Sequence, residues 1–154
     1  MAELTAVRST HKKTEPRLVT EFSGKMRSIE NFGLEKGDQF IIPYNYEIWE
    51  EDLNGNSTYF IKVSLLNGTV KHFYPAILRK CKLVFNEDGT STGKRVATDG
   101  TAAELFQKYR TMRQGLDALR GKVLQITDIK FVRTIRYGTT SLMLTQIPTI
   151  DIVR

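Results

Sequence analysis

The chain has 154 residues, 40% apolar and 10% aromatic, which is enough for one domain with a sizeable core and too few for two. The lone Cys81 and the dispersed His11 and His72 exclude an internal disulfide and a Cys/His zinc site, and no apolar run approaches the roughly 20 residues of a membrane helix. Formal charge is +6, with nine Lys/Arg against four Asp/Glu in residues 101–154, a bias that suits a polyanionic partner.

Residues 1–20 are polar and basic, with Arg8, His11, Lys12, Lys13 and Arg17 and no strand or helix period, and read as a flexible arm preceding a single domain over 21–154. The first residues lack the apolar middle of a secretory signal, so a cytoplasmic location is expected. Glu35-Lys36-Gly37-Asp38 is turn chemistry. A strand follows in QFIIPYNYEIWEED, where Phe40, Ile42, Tyr44, Tyr46 and Ile48 alternate, with Pro43 marking an edge or bulge.

After the turn-like 53–57, TYFIKVSLL places Tyr59, Ile61, Val63 and Leu65 on one face. Asn67-Gly68 then predicts a two-residue hairpin turn, since both central residues of a type I′ turn need positive φ. In that register Leu65 faces Val70, Ser64 faces Lys71 and Lys62 faces Phe73. The third strand runs on through VKHFYPAILRKCKLVF. Phe60, Lys62, Lys71 and Phe73 then share the face opposite the core, with Trp49 on the matching face of the first strand. Tyr44, Tyr46, Tyr59, Tyr74 and His72 are expected inside.

Residues 86–100 read as a long loop or flexible hairpin. Thr101 and Glu104 form a capping-box pattern opening one helix, with Ala102, Leu105, Phe106, Tyr109, Met112, Leu116 and Leu119 on its apolar face and Gly121 ending it. Two strands close the chain, KVLQITDIKFVRTIRY and, after Gly138, TTSLMLTQIPTIDIVR.

No catalytic constellation is legible, so an enzyme is not expected, and no cofactor or metal is implied. Gly89-Thr-Ser-Thr-Gly93-Lys94 fails as a phosphate-binding loop: three residues separate its glycines instead of four, Arg95 follows the lysine, and no helix follows directly. Glu50-Glu51-Asp52 sits at a strand end and reads as a solvated acidic rim, because acid–base pairs need two environments converging on a pocket.

What remains is aromatic and basic interleaving, the pattern of proteins that stack bases on rings and neutralise phosphates with cations. Trp49, Phe60 and Phe73 are the stacking candidates, with Lys62, Lys71, Arg79, Lys80 and Lys82 nearby. The fourth predicted strand adds Lys130, Phe131, Arg133, Arg136 and Tyr137.

Three strands, a helix and two strands, with a tight hairpin joining the second and third, resemble the OB-fold over residues 38–154. That fold is a five-stranded Greek-key barrel with its helix between strands 3 and 4. The segments Phe32-Gly33-Leu34-Glu35-Lys36-Gly37-Asp38, Gly100-Thr101-Ala-Ala-Glu-Leu105 and Arg136-Tyr137-Gly138-Thr139-Thr140 are similar to small proteins of crAss-like bacteriophages. The resemblance implies sequence-tolerant binding of single-stranded DNA, or RNA, in replication or recombination, and is compatible with a homo-oligomer. The alternative is a viral structural or assembly protein that uses a β-barrel for protein–protein packing.

Overall fold

A computed structural model describes residues 15–22, 33–53, 56–136 and 138–154. Most of the predicted arm, residues 1–14, lies outside this set, as do Asn54, Gly55 and Tyr137. Residues 17–19, expected in the arm, form a strand instead. They are β1 (Arg17–Val19), which pairs with β3 (Ile48–Leu53), so that Leu18 lies opposite Trp49 and the Arg17 guanidinium bonds the Glu50 carboxylate.

Two of the predicted long strands are broken, and each break falls beside a proline, which has no N–H to give a ladder. Residues 39–52 become β2 (Gln39–Ile41) and β3, separated by a turn at Pro43-Tyr44-Asn45 that leaves Tyr44 70% exposed, not in the core. Residues 70–85 become β5 (Val70–Phe73), a 3₁₀ turn (Pro75–Arg79) and β6 (Cys81–Phe85). β6 pairs with β7 (Ser91–Ala97) in a separate two-stranded sheet, so of the two readings of residues 86–100, long loop or flexible hairpin, the structure has the hairpin.

β4 (Asn56–Leu65) is the hub of the larger sheet, with β3 and β2 in succession on one side and β5 paired over its second half. Two long strands, β8 (Val123–Ile135) and β9 (Leu142–Ile152), complete the order β1-β3-β4-β2-β8-β9, and every strand pairing is antiparallel. The chain is mainly β, but β1 and β9 stay at opposite ends of this order and the sheet does not close. Nine strands and two helices, among the described residues, replace the expected five-stranded barrel with one helix.

The single predicted helix is two, α1 (Thr101–Gln107) and α2 (Met112–Leu119). The capping box is at Thr111 and Gln114, each bonding the other's backbone N–H, and Thr101 caps nothing with its side chain because Gly100 is the N-cap. Arg79 stabilises the break by donating to the carbonyls of Tyr109 and Arg110. The helices pack closely at Gly115, where a Cβ would lie 2.6 Å from the Phe106 ring. Phe40, Ile61, Val63, Phe73, Ile77, Phe106, Leu116, Leu124 and Ile150 form the core between helices and sheet.

The hairpin after β4 has a three-residue loop instead of two. Leu65 N–H bonds Thr69 O at 2.8 Å, Gly68 N–H bonds Leu65 O at 2.9 Å, and Gly68 takes φ +91°. This is a type I turn followed by a left-handed residue, the other common solution for a hairpin containing Asn-Gly. It shifts the register by one: Ile61 lies opposite Phe73, Lys62 opposite His72 and Val63 opposite Lys71. Because side chains alternate, that slip turns every residue of β5 to the other face.

Candidate nucleic-acid interface

The slip dismantles the expected binding face. Phe73 is fully buried in the core against Phe40, with ring centroids 5.0 Å apart, while His72, expected inside, is exposed. Lys71 lies on the Val63 side, where its Nζ donates to Gly33 O at 3.2 Å and sits 3.8 Å from the Asp38 carboxylate.

Trp49, Phe60 and Lys62 do share a face, as expected, but they occupy one another. Phe60 is fully buried, with the His72 ring stacked 3.9 Å away and Trp49 parallel on its other cross-strand side at 6.2 Å. The Lys62 ammonium lies 4.3 Å from the Trp49 ring centroid. A ring already sandwiched offers no face to a base. Beside this stack Glu51 is buried, contrary to the expected solvated rim, and accepts the Tyr74 hydroxyl at 3.0 Å. Burial, helped by that bond to a carboxylate, raises the Tyr74 phenol above its ordinary pKa. The same causes push Tyr46 up to about 12, its hydroxyl bonding Asp117 at 2.7 Å. Tyr59 is buried as expected, and Tyr46 and Tyr74 are half-buried.

Of the remaining cations, Arg79 is committed to the helix break and lies over the Phe106 ring, and Lys80 is buried. Both are structural. Lys82 is half-buried on β6. The Gly89–Lys94 segment forms the end of the β6–β7 hairpin, with no helix after it.

Of the predicted residues, Lys62 is exposed but lies over Trp49, whereas Lys130, Phe131 and Arg136 are exposed together on the β8–β9 arm. β2 pairs only with the first three residues of β8, so beyond Ile126 the two strands continue as a long ribbon. Its pairs Phe131–Gln146, Arg133–Leu144 and Ile135–Leu142 project from one side, and Val132–Thr145 and Thr134–Met143 from the other. The second side is covered: Thr134 and Thr145 are buried with hydroxyls 2.7 Å apart. The first is open, with Phe131 61% and Leu144 65% exposed. Arg133 reaches Phe85 O at 3.4 Å and Glu87 at 3.6 Å on the β6–β7 hairpin. Lys130 sits on the other side, 3.7 Å from Asp99, and Arg136 is exposed at the tip.

Leu142 and Leu144 lie in the last predicted strand, but Leu142-Met143-Leu144 is a continuous apolar run, so nothing in the sequence marks which of the three face outward. Among the described residues, no group of three or more His, Cys, Asp or Glu could hold a metal ion, and no helix is long and apolar enough to cross a membrane. Comparison of the chain with protein-family models, curated proteins and solved structures finds no match.

Proposed function

We propose that the chain binds single-stranded nucleic acid, DNA in the first instance, along the open side of the β8–β9 arm, as in replication or recombination. Phe131 stacks on a base, and Arg133 and Arg136 contact phosphates. The observation that carries this reading is an aromatic ring 61% exposed beside Arg133 on a two-stranded ribbon. Rings on open sheet faces suit sequence-tolerant stacking, because every base has a π-face. The net charge of +6 supports a polyanionic partner.

Titration with a labelled oligo-dT at two salt concentrations tests the proposal. Binding that weakens as salt rises is expected, because phosphate neutralisation releases counterions. No binding at low salt, or binding indifferent to salt, overturns it.

A second reading, a structural or assembly protein that packs against other subunits, is favoured by Leu142 and Leu144 on the same side of the arm. Assembly into large particles without nucleic-acid affinity selects that reading.

A further inference from the structure

β9 lies at one end of the sheet, with β8 on one side only. Three backbone contacts show which of its residues face away from β8: Asp99 N–H bonds Pro148 O, Ile150 N–H bonds Asp99 O, and Ile152 N–H bonds Thr101 Oγ1. The pairing irregularity falls between Ile126 and Asp128 on β8, so β9 keeps its period of two, and Leu142, Leu144 and Gln146 also turn their N–H and C=O groups outward. Among the described residues nothing bonds those groups. The far half of the edge is closed by residues 99–101 and by Pro148, which has no N–H. The near half has neither cover nor proline.

Sheet edges in soluble proteins are usually blunted by lysine, proline, a bulge or a covering segment. Leu142-Met143-Leu144-Thr145-Gln146 has none of these and no charge, in a chain of 26% charged residues. β9 contains no lysine or arginine, and Asp151, in the covered half, is its one charged residue. An acidic strand added here would meet no cation at cross-strand distance, because the nearest, Lys130 and Arg133, are on β8. The chemistry suits a neutral, aliphatic strand, and in this chain β9 is one.

We infer that a second copy of the chain pairs antiparallel with this edge, β9 against β9 about a twofold axis at Leu144. An antiparallel pair of residues that both face outward exchanges two hydrogen bonds, so Leu144 with Leu144 and Leu142 with Gln146 on either side give about six bonds. Leucine meets leucine at the axis, and no like charges are opposed. The cations of the two copies stay on the outer strands, three strand spacings or roughly 14 Å apart. That exceeds the roughly 8 Å Debye length at physiological salt, so their repulsion is largely screened. The interface is isologous and uses up the β9 edge. The other free edges of this sheet are β1 and β5, only three and four residues long, so assembly stops at the dimer. The pairing does not depend on nucleic acid, but it makes a four-stranded platform with one Phe131 on each outer strand.

Sedimentation equilibrium of the full chain from micromolar to millimolar concentration tests the inference without nucleic acid. A concentration-dependent doubling of mass is expected. Leu144→Lys and Leu144→Glu should each be monomeric, because each opposes like charges at the axis, and mixing the two should restore the dimer. Amide exchange on the unmodified chain gives a readout independent of variant folding: the Leu142, Leu144 and Gln146 amides gain protection as concentration rises. A chain monomeric throughout, a dimer that survives Leu144→Lys, a mixture that stays monomeric, or fast exchange of these amides at high concentration overturns the inference. Oligonucleotide affinity is scored separately, so the two proposals fail separately.

Discussion

The imidazole of His72 lies parallel to the phenyl ring of Phe60, with 3.9 Å between centroids and 15° between planes. Together with Trp49 it closes Phe60 off from solvent on what is otherwise the outer face of the sheet. Phe60→Ala should therefore lower stability by about 3 to 5 kcal/mol, as large-to-small changes at buried aromatics do. His72→Ala, which removes one partner of a stacked pair, should cost about 0.5 to 1.5 kcal/mol. Urea denaturation of both variants and of the double variant checks this. Coupling between the two sites is expected, and strict additivity would mean that the rings do not support each other.

Phe131 should behave in the opposite way. At 61% exposure it has little burial to lose, so Phe131→Ala should leave the urea midpoint unchanged. If one base stacks on it, affinity for oligo-dT should fall by about 1 to 3 kcal/mol, or roughly 5- to 150-fold. Arg133→Gln should weaken binding to all sequences alike and flatten the salt dependence by about 0.7, the slope lost per phosphate contact on a single strand. Fluorescence anisotropy across a salt series measures both effects.

What the sequence revealed follows the length of each pattern. β8 and β9 were legible as strands because thirteen and eleven residues rich in β-branched and apolar side chains flank a turn, although the bulge after Ile126 swaps the faces of the rest of β8. The β4–β5 register was not, because Asn67-Gly68 fits both a two-residue turn and a three-residue loop. Asn67 favours the second by accepting the Thr69 N–H with its side chain at 2.9 Å. One residue of loop decided whether Phe73 was a ligand or core. The helix break was written as Thr111-Met-Arg-Gln114, a capping signature as good as Thr101-Ala-Ala-Glu104, but only tertiary contacts choose between them. Arg79 and the Gln107 side chain, which donates to Leu78 O at 2.7 Å, make the break stable. The open side of the arm was half legible: Phe131, Arg133 and Arg136 stood out as ring and cations, and its leucines did not.

Gly100 and Gly89 separate backbone strain from crowding. Both take positive φ, +103° and +89°, so alanine at either is strained, by about 1 to 2 kcal/mol or more, and at Gly100 the ψ of 165° adds to this because that combination is essentially confined to glycine. At Gly89 a new Cβ would touch nothing within 4 Å, whereas at Gly100 it would lie 2.3 Å from Ile150 O on β9. Gly100→Ala should therefore be clearly more destabilising than Gly89→Ala, because the start of α1 and β9 must separate to admit it. Thermal melts of the two variants side by side measure the difference, and equal losses would mean that α1 is not held this close to β9.

Asp151 fastens α1 to β9 electrostatically. Its Oδ1 accepts the Thr101 N–H at 2.8 Å and its Oδ2 the Thr127 hydroxyl at 2.7 Å, and these bonds hold its pKa below the ordinary aspartate value. A carboxyl whose folded pKa is depressed stabilises the fold fully above its unfolded pKa, near 3.9, and loses that contribution as pH falls through the folded value. Asp151→Asn keeps an acceptor for Thr101 but loses the charge at the helix start. It should cost about 1 kcal/mol at pH 7, within the range for helix N-terminal partners. Glu50 and Asp88 also have lowered pKa values, so the pH profile of the unmodified chain alone cannot isolate Asp151. The difference between the two chains can, since the other carboxylates cancel. Urea denaturation from pH 7 to pH 2.5 should show that difference constant down to about pH 5 and then shrinking toward zero. A difference that stays flat to pH 2.5 would mean that the charge of Asp151 contributes nothing to holding α1 on β9.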